Sequence, residues 1–187
     1  MRINRWHIHQ ARRTLLRGGV IVYPTETVWG LGCDPFHEAA VHRLLEIKQR
    51  PLEKGLILIA ADLDQLRPFI IAPSAVQLEV AAATWPGPVT WVFDATEAVP
   101  MWVRGKHPTV AVRITSHPVA RALCADYGKP IVSTSANLSG HPPSQNALLV
   151  RRWFSGKVDM FVPGEAGPHT RPSEIRDARS GAILRPA

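Results

Sequence analysis

Residues 20–32 read Val20-Ile21-Val22-Tyr23-Pro24-Thr25-Glu26-Thr27-Val28-Trp29-Gly30-Leu31-Gly32, and their order decides the kind of fold to expect. The apolar run 20–23 has the length of a buried strand, and Pro24 breaks it. A turn follows that offers two hydroxyls and a carboxylate and ends in Gly-Leu-Gly. Glycine permits positive φ and lets a ligand approach the backbone closely. In open α/β sheets ligands gather just beyond such strand ends. An ordinary polar turn has the same composition, so this segment alone leaves both readings open.

Outward from it, strands and helices alternate. Ile8, Ala11 and Leu15 set a helical spacing over 4–17 that Gly18-Gly19 stops, and Val41, Leu44, Leu45 and Ile47 set another over 38–49 that Pro51 ends. Residues 56–60 read as a second apolar strand. Helices are expected near 62–68 and 74–84, before the breaker Trp85-Pro86-Gly87-Pro88. Residues 89–94 and 109–114 are rich in β-branched side chains and read as strands. A helix over 117–127, a strand over 131–134, a helix over 145–154 and short strands near 159–162 and 182–185 complete the series. With no repeat and no long linker, the expectation is one α/β (α+β) domain over 1–187, its twisted sheet mixing parallel and antiparallel strands with flanking helices.

Composition narrows the function. The 187 residues are 45% hydrophobic and 20% charged, enough for one cored domain and unlike a disordered chain. No apolar run approaches the ~20 residues a bilayer span needs, and no secretion signal follows the basic N-terminus. Cys33 and Cys124 form no CxxC pair, which fits small buried hydrophobes in a reduced cytosol. The net charge of +7 attracts polyanions, whether nucleic acid or nucleotide phosphates. No HExxH or similar spacing marks a metal site, and no GxSxG elbow marks a serine hydrolase. Lacking an obvious acid, base or nucleophile, the chain points to chemistry driven by positioning and charge stabilisation, as in phosphoryl or nucleotidyl transfer.

Three further segments carry polar residues that a core does not demand. In Lys48-Gln49-Arg50-Pro51 the cations at i and i+2 do not share a helical face, but the proline disfavours helical geometry at Arg50 and swings it out of register. The two cations then converge on a polyphosphate, unless they merely complement a helix C-terminus. Ser133-Thr134-Ser135-Ala136-Asn137-Leu138-Ser139-Gly140 brings hydroxyls, an amide and backbone N–H groups to a strand end, without the Lys-Ser/Thr ending of a P-loop. The segment 172–177 with 183–186 places Ser173 and Arg185 near the C-terminus; alone it reads as a charged strand end.

Taken together, the segments 20–35, 44–60, 85–93, 109–118, 128–140 and 172–187 resemble the YrdC/TsaC family of threonylcarbamoyl-AMP synthases over nearly the whole chain. The KxR motif (Lys48–Arg50) followed by the SxN motif (Ser135–Asn137) is the specific part of that likeness. The resemblance implies a mixed α/β domain with a basic concave cavity, in which L-threonine, bicarbonate (or CO2) and ATP with Mg2+ give threonylcarbamoyl-AMP and pyrophosphate. That product is the precursor of threonylcarbamoyladenosine in tRNA. It further implies that Thr25, Arg113 and Ser173 contact threonine, with Arg113 on the carboxylate. Lys48, Arg50, Thr109, Ser133, Ser135, Asn137 and Arg185 are then expected around ATP, with Lys48 and Arg50 on its phosphates as the catalytic cations. No protein metal site is expected, because Mg2+ accompanies the nucleotide.

Departures are equally visible. Many longer relatives of that family carry Asn and His where this chain has Lys54 and Ile59, and the family's usual aromatic before Gly-Leu-Gly is Tyr or Phe where this chain has Trp29. The chain resembles the short bacterial type, a cytoplasmic protein handing its product to a downstream threonylcarbamoyl-transfer complex. Two rivals stand beside this expectation: a non-catalytic module binding tRNA or rRNA, for which the charge speaks, and a different carbamoyl or acyl adenylate made in the same kind of cavity.

Overall fold

The computed structural model describes residues 4–138, 140–168 and 172–187. Ser139 of the serine-rich turn and the basic residues 1–3 lie outside these residues. In chain order the elements are α1 (Arg5–Leu16), β1 (Ile21–Pro24), β2 (Trp29–Gly32), α2 (Glu38–Lys48), β3 (Ile57–Ala60), α3 (Ala75–Ala82), β4 (Thr90–Asp94), α4 (Met101–Arg104), β5 (Thr109–Ile114), α5 (Pro118–Tyr127), β6 (Ile131–Ser135), α6 (Ala147–Phe154), β7 (Met160–Phe161), β8 (Ile175–Asp177) and β9 (Ile183–Arg185). The strands form one nine-stranded sheet in the order β7-β1-β2-β6-β3-β5-β4-β8-β9. Pairings β1–β7, β3–β5 and β4–β8 are parallel and the others antiparallel, so the sheet is mixed as expected.

Local chemistry accounts for most boundaries. Asn4 and Asn146 cap α1 and α6 through their side-chain oxygens, and Ser74 and Gln77 close a capping box on α3. Pro118 opens α5 and Gly128, at φ 77°, ends it.

Three readings change. Residues 29–32, read as the end of a turn, are strand β2, paired with β1 from Ile21↔Gly32 to Pro24↔Trp29. The glycines belong there for packing: a Cβ on Gly32 would stand 2.5 Å from the Val132 carbonyl and 2.8 Å from the Tyr23 ring. Residues 62–68 form turns and no helix. There Asp62 accepts from the Gln65 N–H, and the Gln65 side chain accepts from Ala61 and donates to the Cys124 carbonyl, so side chains take backbone groups a helix would use. The helix α4 and the 3-10 turn Leu52–Lys54 answer to no periodicity, being too short to show one.

Strand alternation sends alternate residues to the sheet's two faces. Val22, Leu31, Leu58, Trp91, Phe93, Val110, Val112 and Val132 belong to one large core with residues of α2, α4 and α6. On the other face, Ile21, Tyr23, Ile59 and Ile131 pack under α1 and α5 around Cys124. That cover extends over only part of the face. Thr109, Ala111 and Arg113 of β5 and Ser133 and Ser135 of β6 line the uncovered remainder.

Candidate active site

The uncovered stretch of sheet is the floor of a cavity of about 340 Å³. Of the ten residues singled out by sequence, Thr25, Arg50, Thr109, Arg113, Ser133, Ser135, Ser173 and Arg185 line it. Lys48 and Asn137 stand behind the wall, joined to one another. The Lys48 Nζ donates to Asn137 O (2.7 Å) and Oδ1 (2.8 Å), and Oδ1 also accepts from Ser135 Oγ at 2.7 Å. The two sequence motifs are thereby one hydrogen-bonded unit. Burial first, and the Arg50 charge second, lower the Lys48 pKa to about 8.

Arg50 leaves the helical register as expected, for a different reason. Gln49 adopts the left-handed conformation (φ 49°, ψ 47°), and the Arg50 N–H bonds the Leu45 carbonyl while Gln49 N–H bonds that of Glu46. That is a Schellman ending, completed before Pro51 acts. Arg50 then donates to Gly55 O at 2.9 Å, and its buried Nε has no partner. Burial lowers its pKa, and lowers that of Arg185 with help from Arg50 and Arg113.

Register separates the cavity into two ends. Ile57 of β3 pairs with Ala111 and Ile59 with Arg113, so Gly55 and the Arg50 guanidinium on its carbonyl lie toward Thr109. Thr109 and Arg113 are four residues apart on one strand, roughly 13 Å. Lys54, Arg104 and His107 also line the cavity, and none of them was singled out as a ligand by sequence reasoning. Gly55 and Gly105, both at positive φ, pack their turns back to back, a Cβ on Gly105 meeting Glu53 O at 2.6 Å. Ile59 takes no part; it is fully buried in the second core.

At the far end, Arg113 is 3% exposed, and its NH2 stands 3.7 Å from Glu26 Oε2. Glu26 Oε1 accepts from Thr115 Oγ1 and Ser116 N, each at 2.7 Å. Burial would raise the Glu26 pKa, but Arg113 and these hydrogen bonds outweigh it and hold it below the ordinary carboxylate range. Thr25 Oγ1 donates to Val28 O at 2.6 Å and accepts from Thr27 N at 3.3 Å, so its hydroxyl is fixed within its own turn at the cavity wall. Ser173 receives a weak bond from Thr90 Oγ1, and its carbonyl accepts from Arg185 at 2.5 Å. Among the described residues lining the cavity there is no Asp or Glu.

Residues 13–187 match the family model of Sua5, YciO and YrdC proteins, described as telomere recombination. The chain is 51% identical over 180 residues to the threonylcarbamoyl-AMP synthase of Cellvibrio japonicus, covering 96% of this chain and 95% of that one. It is 52% identical to the one from Xanthomonas euvesicatoria, covering 95% and 96%. Among solved structures, P. abyssi Sua5 complexed with L-threonine superposes with a TM-score of 0.94 at 34% identity, covering all of this chain and 55% of that one. E. coli YciO gives a TM-score of 0.87 at 28% identity, covering 97% and 89%. The chain therefore spans about half of Sua5 and nearly the whole of the two synthases.

Proposed function

The chain belongs to the Sua5/YciO/YrdC family, and from that premise we infer that it is a threonylcarbamoyl-AMP synthase, a nucleotidyltransferase of tRNA modification. One observation carries the reading beyond the likeness. The cavity holds a carboxylate-backed arginine at one end, cations without a lining counter-charge at the other, and serine hydroxyls on its floor. A zwitterionic amino acid suits the first end and a polyphosphate the second.

In this assignment Arg113 receives the threonine carboxylate through parallel hydrogen bonds, with Thr25 and Ser173 near the rest of the amino acid. ATP enters as its Mg2+ complex, its phosphates facing Arg50 and Arg185, with Thr109, Ser133 and Ser135 alongside. Lys48 acts through Asn137 and Ser135 unless nucleotide draws its amine forward. The threonine amine adds to bicarbonate or CO2 to give a carbamate, with loss of water or a proton. A carbamate oxygen then attacks the α-phosphorus, the bond to the β-phosphate oxygen breaks, and pyrophosphate departs. The protein holds the reactants in line and stabilises charge on the leaving group. We place this enzyme in the cytoplasm, supplying a tRNA-modifying complex; no described helix is long and apolar enough to cross a membrane.

The test is pyrophosphate release with ATP, Mg2+ and bicarbonate, with and without L-threonine. Release should require both threonine and bicarbonate, and Arg50→Ala should reduce it by about 10²–10³, as for other lost charge-stabilising donors. Release driven by another amino acid would overturn the substrate. No release from folded, ATP-binding protein would favour the RNA-binding module.

A further inference from the structure

Glu26 is not among the residues lining the cavity, yet its carboxylate faces Arg113 from behind. Its side chain is 5% exposed and held from two sides. Oε1 takes hydrogen bonds from Thr115 Oγ1 and Ser116 N (2.7 Å each) and a longer one from Ser116 Oγ (3.5 Å). Oε2 lies 3.7 Å from Arg113 NH2 and has no hydrogen-bond partner. The Arg113 Nε, equally buried, has none either. Arg113 is thus steered by charge from one side and keeps donors unspent. At the Arg50 end no carboxylate among the described residues plays this part: Arg50 rests on the Gly55 carbonyl, while Arg185, which feels both Arg50 and Arg113, rests on that of Ser173.

We propose that Glu26 is a positioning and charge-selecting residue: it orients Arg113 and cancels most of its charge, so that this end admits a monocarboxylate and refuses a polyphosphate. Both reactants carry anionic groups, a single carboxylate on the zwitterionic amino acid and several phosphates on the nucleotide, and both ends of the cavity present guanidinium groups. Without an internal counter-charge, nothing electrostatic would stop the triphosphate, or the pyrophosphate product, from occupying the amino-acid end. A paired guanidinium still forms directional hydrogen bonds to a carboxylate, whereas multiply charged phosphate loses the net attraction it needs. The lone carboxylate behind Arg113 therefore sets which way round the two substrates enter. The identity of the monocarboxylate rests on the synthase reading; the refusal of polyphosphate does not.

The experiment compares the wild type with Glu26→Gln, which keeps the shape of the side chain and removes its charge. Calorimetric titrations with L-threonine and with inorganic pyrophosphate, each alone and in the presence of the other, provide the readout. The wild type should bind one pyrophosphate per chain without loss of threonine affinity. Glu26→Gln should bind threonine at least tenfold more weakly and take a second pyrophosphate that competes with it. A folded Glu26→Gln protein that binds a single pyrophosphate independently of threonine overturns the proposal. If that variant does not fold, Glu26→Asp decides: it keeps the charge but withdraws it, so it should weaken threonine without admitting pyrophosphate, and wild-type threonine affinity there refutes the positioning role. Failure of the synthase reading would show separately, as a wild type that binds no threonine, while the pyrophosphate stoichiometry of Glu26→Gln still reports on charge selection.

Discussion

The Lys48 ammonium is 8% exposed, held by both oxygens of Asn137, and pushed by burial and by Arg50 to a pKa of about 8. A base whose folded pKa lies below its unfolded value of 10.5 is charged at a cost in the native state. Between pH ~8 and ~10.5 the unfolded chain binds the proton and the native chain does not, so stability rises with pH across that window and by up to ~3 kcal/mol. Below pH 8 the penalty is fully present. Urea unfolding of wild type and Lys48→Met from pH 7.5 to 10 should show this rise in the wild type alone. A flat difference between the two would mean that Asn137 compensates the charge. Polyphosphate nearby favours the charged form, so its binding at pH 8.5 should take up protons, visible as a buffer-dependent binding enthalpy that Lys48→Met lacks. The residue types of this unit were legible as KxR and SxN. Its wiring was not, because Lys48 and Asn137 meet only after α2 and β6 are packed.

At the scale of elements, the end of α2 decides where Arg50 points, and it does so with Gln49 in the left-handed region. A residue with a Cβ is disfavoured there by roughly 1–2 kcal/mol, whereas glycine is not. Glycine also gains conformational freedom in the unfolded chain, which offsets part of that advantage. Gln49→Gly should therefore stabilise the protein by about 0.5–1 kcal/mol in denaturant titration while leaving Arg50 in place and pyrophosphate release unchanged. Destabilisation would show that the Gln49 side chain contributes something beyond its backbone. The sequence signalled the helix stop through Pro51, and the stop came one step earlier, through hydrogen bonds to the Leu45 and Glu46 carbonyls that no residue pattern announces. Strand β2 was hidden for a related reason: Trp-Gly-Leu-Gly has turn composition, and its glycines serve close packing on Tyr23 and Val132. By contrast β5 was fully legible. In Thr109-Val110-Ala111-Val112-Arg113-Ile114 the valines go to the core, so Thr109, Ala111 and Arg113 must share the other face. Glu26 was quoted with its turn but not read as a partner of Arg113, since the two lie on segments joined only by the sheet.

Across the whole molecule, a net charge of +7 was readable from composition, whereas the convergence of Arg50, Arg113 and Arg185 on one cavity was expected only from the family resemblance and not from any local pattern. Without ligand, burial first and then the charges of Arg50 and Arg113 lower the Arg185 pKa. The cavity is thus a place where the fold gives up stability for a polyanion. Arg50 concentrates that conflict, combining a partly buried charge, an Nε without a partner and repulsion on Lys48, against one hydrogen bond to Gly55 O. Arg50→Met keeps much of the volume and removes the charge and the orphaned donor together. Relief of desolvation and repulsion should exceed the lost bond by about 1 kcal/mol, raising the ligand-free Tm by roughly 2–4 °C. The wild type should recover the difference when pyrophosphate is added, since a ligand at 100 times its Kd contributes ~2.7 kcal/mol to the native state. Arg50→Met should gain little from the same addition. Salt should raise the ligand-free wild type more than the variant, because screening weakens the repulsion that the variant has already lost. Thermal scans of both proteins, with and without pyrophosphate and at two ionic strengths, check all four statements. A ligand-free Arg50→Met that melts below the wild type would place the bond to Gly55 above the charge conflict, and Arg50 would then count as a structural residue as much as a ligand.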